Sequence, residues 1–298
     1  MQRKNLVGLG AVICVLVICV LLGNRISPTT TTAAVELPAD PESTPMDSTP
    51  EPRKMFLKSL PVGFHLPTDD TGELLLREYG AVFLARNNAT PANKVIFENE
   101  KDVTAFQSSV AISAEKFGSI RIELQAGAMT ALMEAVAEAR SAGLSITPRG
   151  ADSGRRNYQE TERLWASRVV PGMTHWVASG RVSAAEAKRI QALTPFEQVP
   201  EILKLEKDGI YFAKDLSKSI IYSVAPPGTS QHLSMLALDV SEFNDSRVRA
   251  ILAKHNWYQT VVSDLPHFTY LGVEEKLLPA LGLKMVVNDG RTFWVPDI

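Results

Sequence analysis

Cysteine is nearly absent from the 298-residue chain, and both copies, Cys14 and Cys19, lie in one apolar run near the N-terminus. The remaining chain can therefore form neither a disulfide nor a thiolate metal site, and any metal there must be held by His, Asp or Glu. Excess charge of one sign is also missing. With 31 Lys+Arg against 33 Asp+Glu the formal net charge is −2, which supplies no electrostatic footprint for nucleic acid or an anionic surface. No internal repeat is found, so repeat architectures are excluded. What is present, 45% hydrophobic and 21% charged residues, is the composition of an ordinary globular protein with enough chain to bury a core without disulfides.

The N-terminus departs from that composition. Arg3 and Lys4 precede an apolar or glycine run from Leu6 to Gly23, 18 residues long. As a helix it would span roughly 27 Å, close to the ~30 Å hydrocarbon core of a bilayer. A cleaved signal peptide has a shorter apolar stretch of about 7–15 residues and small residues beyond it. Here Asn24 and Arg25 follow, and the reading favours an uncleaved, single-pass anchor over residues 1–24. The basic flank puts the N-terminus inside and the bulk of the chain outside the cytoplasmic membrane. Residues 25–54, rich in Pro, Thr, Ser and Ala without hydrophobic period, read as a disordered linker.

Globular patterning starts near Met55. Short β-like runs are expected at 81–85, 94–97, 120–124, 145–147 and 260–263, with a further apolar run at 268–271. Met129, Leu132, Val136 and Ala139 recur at helical spacing before Gly143, and helices are also expected from about Tyr158, over 184–193 and over 247–254. Helices mixed with short strands, lacking a βαβ rhythm, indicate an α+β fold. The expected organisation is an N-terminal ectodomain part over 55–125, a catalytic domain over 126–275 and a C-terminal extension over 276–298.

Metal-binding residue types concentrate in two stretches, Ser230-Gln231-His232 through Asp239 and Asp264-Leu265-Pro266-His267. His232 follows a Pro/Gly loop, Asp239 ends an apolar run where an unpartnered charge would be costly, and His267 follows a proline. Two imidazoles and one carboxylate leave the fourth zinc position open, as catalytic sites do. Asp264 could then accept a proton from the attacking water and deliver it to the leaving amine. His65, His175 and His255 have no partner at ligand spacing and read as structural. Trp165, Trp176, Trp257 and Trp294 read as core or groove-wall aromatics.

The same stretches resemble the zinc D-alanyl-D-alanine carboxypeptidase and dipeptidase family of VanY-like enzymes, fold relatives of the Hedgehog amino-terminal domain. The family pattern Ser-x-His-x-x-Gly-x-Ala-x-Asp, followed by Glu-x-x-His, is matched by Ser230, His232, Ala237 and Asp239 and then by His267. The lead-in Val224-Ala225-Pro226-Pro227-Gly228-Thr229-Ser230 and the upstream Ser153-Gly154-Arg155-Arg156-Asn157-Tyr158 also look like the family's. Two departures stand out: Met235 in place of Gly, and Asp264 in place of the catalytic Glu. The resemblance, over roughly 144–272, implies a Hedgehog/D,D-peptidase-like domain whose small antiparallel sheet carries one catalytic zinc on His232, Asp239 and His267. It also implies that Arg156 stabilises the oxyanion or the substrate carboxylate, while Ser230 orients substrate or supports the ligands. The implied reaction is hydrolysis of the terminal D-Ala-D-Ala bond of peptidoglycan stem peptides. Two alternatives stay open: an L,D-carboxypeptidase or cell-wall endopeptidase of the same family, and a zinc-containing module that grips cell-wall peptide without cutting it.

Overall fold

The computed structural model describes residues 51–298. The expected anchor and nearly all of the expected linker lie outside them. No helix among the described residues is long and apolar enough to cross a membrane.

Eight α-helices are described: α1 Glu51–Ser59, α2 Asp70–Tyr79, α3 Glu100–Ser108, α4 Ala126–Ser141, α5 Tyr158–Ala178, α6 Ala184–Gln191, α7 Pro195–Lys207 and α8 Ser246–Lys254. Helix α1 begins four residues ahead of the boundary expected at Met55. Local chemistry explains most helix starts. The Asn157 side chain accepts from the Glu160 amide and the Glu160 carboxylate accepts from the Asn157 amide, closing a capping box at α5; Thr194 and Glu197 do the same at α7, where Pro195 takes the first helical position. Helix α4 buries Met129, Leu132 and Ala139 of the periodic set, with Val136 half-buried beside the buried Ala135.

The strands form three small antiparallel sheets. β1 (Ile112–Phe117) pairs with β2 (Ile120–Gln125). β3 (Ala237–Asp239), β4 (Trp257–Tyr258) and β5 (His267–Tyr270) form a sheet of order β3-β5-β4. β6 (Leu283–Asn288) pairs with β7 (Arg291–Pro296) around Asp289 and Gly290, whose φ values of 48° and 67° are those of the Asp-Gly hairpin turn. This mixed architecture with small antiparallel sheets agrees with the α+β expectation.

Several expected strands are corrected. Gly80–Leu84 is a buried 3-10 turn, closed by the Ala85 amide bonding to the Val82 carbonyl. The runs 94–97 and 145–147 contribute only single bridges near them, His65 to Lys94 and Pro148 to Val240. The strand expected at 260–263 lies instead at Trp257–Tyr258. Short apolar runs between turn residues carry no period long enough to separate a strand from a buried turn, and only an available neighbouring edge decides.

Phe56, Leu76, Leu84, Leu124, Trp165, Leu238, Trp257, Phe268 and Trp294 belong to one continuous buried cluster. The stretches on either side of the motif-bearing segment therefore pack into the same core as the strands that carry the motifs.

Candidate metal centre

The β3–β5 register sets the first two ligands. Asp239 and His267 are directly paired across the two strands, so their side chains emerge side by side. His232 comes from a 3-10 turn, Gln231–Ser234, immediately before β3. That turn is reached through Gly228, at φ +79°, where an added Cβ would lie 1.8 Å from the Phe97 carbonyl oxygen; only glycine fits. The turn closes at Met235, which adopts φ 56° and ψ 30° although fully buried. The site thus accepts a left-handed backbone that costs a non-glycine residue about 1–2 kcal/mol, at the position where the resembled pattern has Gly.

Asp239 Oδ1 stands 3.3 Å from His232 Nε2 and 3.3 Å from His267 Nδ1. The ligand atoms of the three residues all lie within 4.8 Å of one another. Both imidazoles have their tautomer assigned by the partner on the far side. His232 Nδ1 donates to the Gly154 carbonyl at 2.8 Å, and His267 Nε2 donates to Gln231 Oε1 at 2.9 Å. The Gln231 amide is itself oriented, because its Nε2 donates to the Tyr79 carbonyl, which can only accept. The inner nitrogen of each ring therefore presents a lone pair toward a carboxylate oxygen.

Three acceptors converge with no donor between them. His232 Nε2 and Asp239 Oδ1 are buried without a hydrogen-bond partner, a state that costs about 1–3 kcal/mol per group when nothing compensates. A cation resolves the conflict. Donors about 2.0–2.2 Å from a tetrahedral zinc stand about 3.3–3.6 Å from each other, a range that includes the two 3.3 Å separations from Asp239.

The protonation states suit the same occupant. Burial alone would raise the Asp239 carboxyl, but positive charge on the facing His232 and His267 rings, the charge a bound cation would supply in their place, holds it well below the ordinary carboxylate range. Its second oxygen, Oδ2, accepts from Arg156 Nη2 at 2.8 Å. Burial, reinforced by the Arg156 charge, lowers the His232 imidazole and favours its neutral, ligating form.

Arg156 is committed on two sides, through Nη2 to Asp239 and through Nε to the Asp152 carbonyl at 3.0 Å. Its neighbour Arg155 reaches Gln107 and Glu123. Arg156, Ser230, Asp264, His232 and His267 all line one groove of about 260 Å³. Asp264 is exposed, and the His267 amide donates to its carbonyl at 3.2 Å, closing the turn that links the two residues. All six predicted site residues are thus brought together around one metal set and one groove.

Sequence reasoning missed the residues that brace the ligands. Gln107 of α3 and Gln125 at the end of β2, each 2% exposed, donate to the Leu233 and Ser234 carbonyls and clamp the turn carrying His232. Gln231 braces the His267 ring by accepting from its Nε2. Isolated glutamines carry no spacing signal, although burial of all three is the kind of costly polar placement that structure makes visible. The other histidines lie elsewhere: His255 pairs with Glu134 and Glu138, and His175 packs edge-on against Trp176.

No family model matches the chain, and no curated protein matches it. Among solved structures it is similar to a variant of the vancomycin-resistance D,D-pentapeptidase VanY, from a VanB-type resistance cassette, in complex with Zn(II). The identity is 16% and the TM-score 0.31, over 55% of this chain and 82% of that one. A superposition that loose establishes neither a common reaction nor a common site.

Proposed function

We propose that the chain is a zinc-dependent peptidase that removes the terminal residue from D-Ala-D-Ala-ended stem peptides of peptidoglycan. The observation that carries this reading is the convergence of three buried acceptors, His232 Nε2, Asp239 Oδ1 and His267 Nδ1, at the wall of an open groove. The substrate class rests on the sequence resemblance described above. The apolar N-terminal run further supports a location outside the cytoplasmic membrane of a bacterium, tethered by residues 1–24.

His232, Asp239 and His267 would hold a zinc ion, which would supply Lewis-acid polarisation of a carbonyl and activation of water. The protein's own groups perform the rest. Arg156 pins Asp239 Oδ2 and so presents Oδ1 to the metal, while its fixed charge adds positive potential where an oxyanion develops. Asp264, on the groove and three residues from His267, takes a proton from the attacking water and delivers it to the departing amine. Ser230, 8% exposed and lining the groove, is placed to orient the peptide.

Hydrolysis of a D-Ala-D-Ala-ended peptide by the fragment Ser48–Ile298, which keeps α1 whole, tests the reading. Asp264→Asn should retain zinc while losing about 10²–10⁴-fold in kcat. Zinc retention without hydrolysis of any stem peptide by the unaltered protein would replace this reading with a binding module.

A further inference from the structure

The groove has a second cation, and it is differently employed from Arg156. One face of α5, through Thr161, Leu164 and Arg168, forms part of the groove wall. Arg168 is half-buried there. Its Nε donates to Ser223 Oγ at 2.9 Å and its Nη1 to Ser167 Oγ at 2.8 Å, and no carboxylate among the described residues forms an ion pair with it. Arg156, by contrast, is ion-paired with Asp239. Two serine hydroxyls hold the Arg168 guanidinium in place without neutralising it, which leaves a pre-positioned charge facing a peptide-sized channel.

Its distance from the chemistry limits what it can bind. Ten residues of helix separate Tyr158, at the site end of α5, from Arg168, a rise of about 15 Å. Helical side chains lean toward the N-terminus, which brings the guanidinium back toward the metal by several ångströms. An extended peptide covers that gap in about two to four residues at ~3.3–3.6 Å each. A carboxylate on the residue next to the scissile bond would fall short.

We infer that Arg168 binds a substrate carboxylate two to four residues from the cleaved bond, so that the preferred substrate is an acidic peptide longer than its D-Ala-D-Ala end. This rests on the peptidase reading for the identity of the peptide. With one residue beyond the cut, the carboxylate lies on the amino side. Stem peptides offer one at the γ-linked D-glutamate, two residues before the D-alanine that carries the scissile carbonyl.

The test compares L-Ala-γ-D-Glu-L-Lys-D-Ala-D-Ala with the same peptide carrying D-isoglutamine, in which the α-carboxylate is an amide of nearly equal size. The acid should be favoured about 10- to 100-fold in kcat/KM, expressed mainly in KM, as expected for one charge-assisted hydrogen-bonded pair. Arg168→Gln should bring the ratio close to one by weakening the acid alone, and Arg168→Lys should restore part of it. Ser223→Ala, which only loosens the guanidinium, should lower the ratio less. Calorimetric binding of the two corresponding tetrapeptide products to the zinc-loaded protein supplies a readout independent of turnover. Hydrolysis of both pentapeptides without acid preference, or a preference unchanged in Arg168→Gln, overturns the assignment while leaving the peptidase reading standing. Arg168-dependent binding of the acidic product with no hydrolysis upholds the subsite and removes the peptidase reading. Failure of the acidic product to bind, or equal binding of the two products, overturns the subsite.

Discussion

Two carboxylates with oxygens withdrawn from water meet opposite fates in this molecule. Glu206, in α7, is 7% exposed and accepts from the Phe212 and Ile220 amides and from the Ser219 hydroxyl. Burial raises its pKa and these donors offset the rise only in part. Its acceptor capacity is filled, and its work is to tie residues 212–220 to the helix. Asp239 has Arg156 on one oxygen, but on the other it meets two imidazole lone pairs. Burial is common to both. An acceptor left unfilled among other acceptors is what separates a ligand from a latch.

The contrast can be broken at its strongest point first. His232→Ala or His267→Ala should reduce zinc in the purified protein from one equivalent to near zero, as read by metal analysis after dialysis, and abolish turnover, because two ligands do not retain the ion. Retained stoichiometric zinc in both variants would place the metal elsewhere. Glu206→Ala should do the converse. Leaving two backbone amides and a hydroxyl without an acceptor costs about 1–3 kcal/mol each at most, so denaturant melts should show several kcal/mol of lost stability with zinc content unchanged.

Gln231→Leu sharpens the metal half of the comparison. Losing the acceptor that sets the His267 tautomer should weaken zinc affinity about 10- to 100-fold in competition titrations, with the fold intact. The smallest effect concerns pH. Because folding raises the Glu206 pKa above its ordinary 4.5, its contribution to stability is complete below that value and is lost as pH rises through the folded pKa. Glu206→Gln should flatten that part of the stability profile. A profile identical to the parent's would show that Glu206 does not titrate differently in the two states.

The candidate ligand set was legible through the family pattern, on whose motif positions the imidazoles at 232 and 267 and the carboxylate at 239 fall; residue type and spacing alone read more readily as ordinary hydrogen-bonded histidines. Helices α4, α5, α6 and α8 were legible from period and caps. Two readable signals were passed over, the Thr194-Pro195-Phe196-Glu197 start of α7 and the Asp289-Gly290 hairpin turn, both of which have local physical causes. The apolar runs at 81–85, 94–97, 145–147 and 260–263 were different in kind. Whether such a run pairs as a strand or closes on itself depends on whether another edge lies beside it, and that edge comes from distant sequence.

What the order of amino acids determined unaided is therefore the inventory of chemistry and most of the helices, since caps, periods and ligand types act over a few residues. Tertiary structure alone decided that Asp239 and His267 face each other in register, and that Gln107, Gln125 and Gln231 orient the ligands. It likewise decided that Arg156 is engaged while Arg168 keeps its charge for the groove. These are consequences of long-range packing, in which a polar atom's worth is set by which partners surround it once water has been excluded.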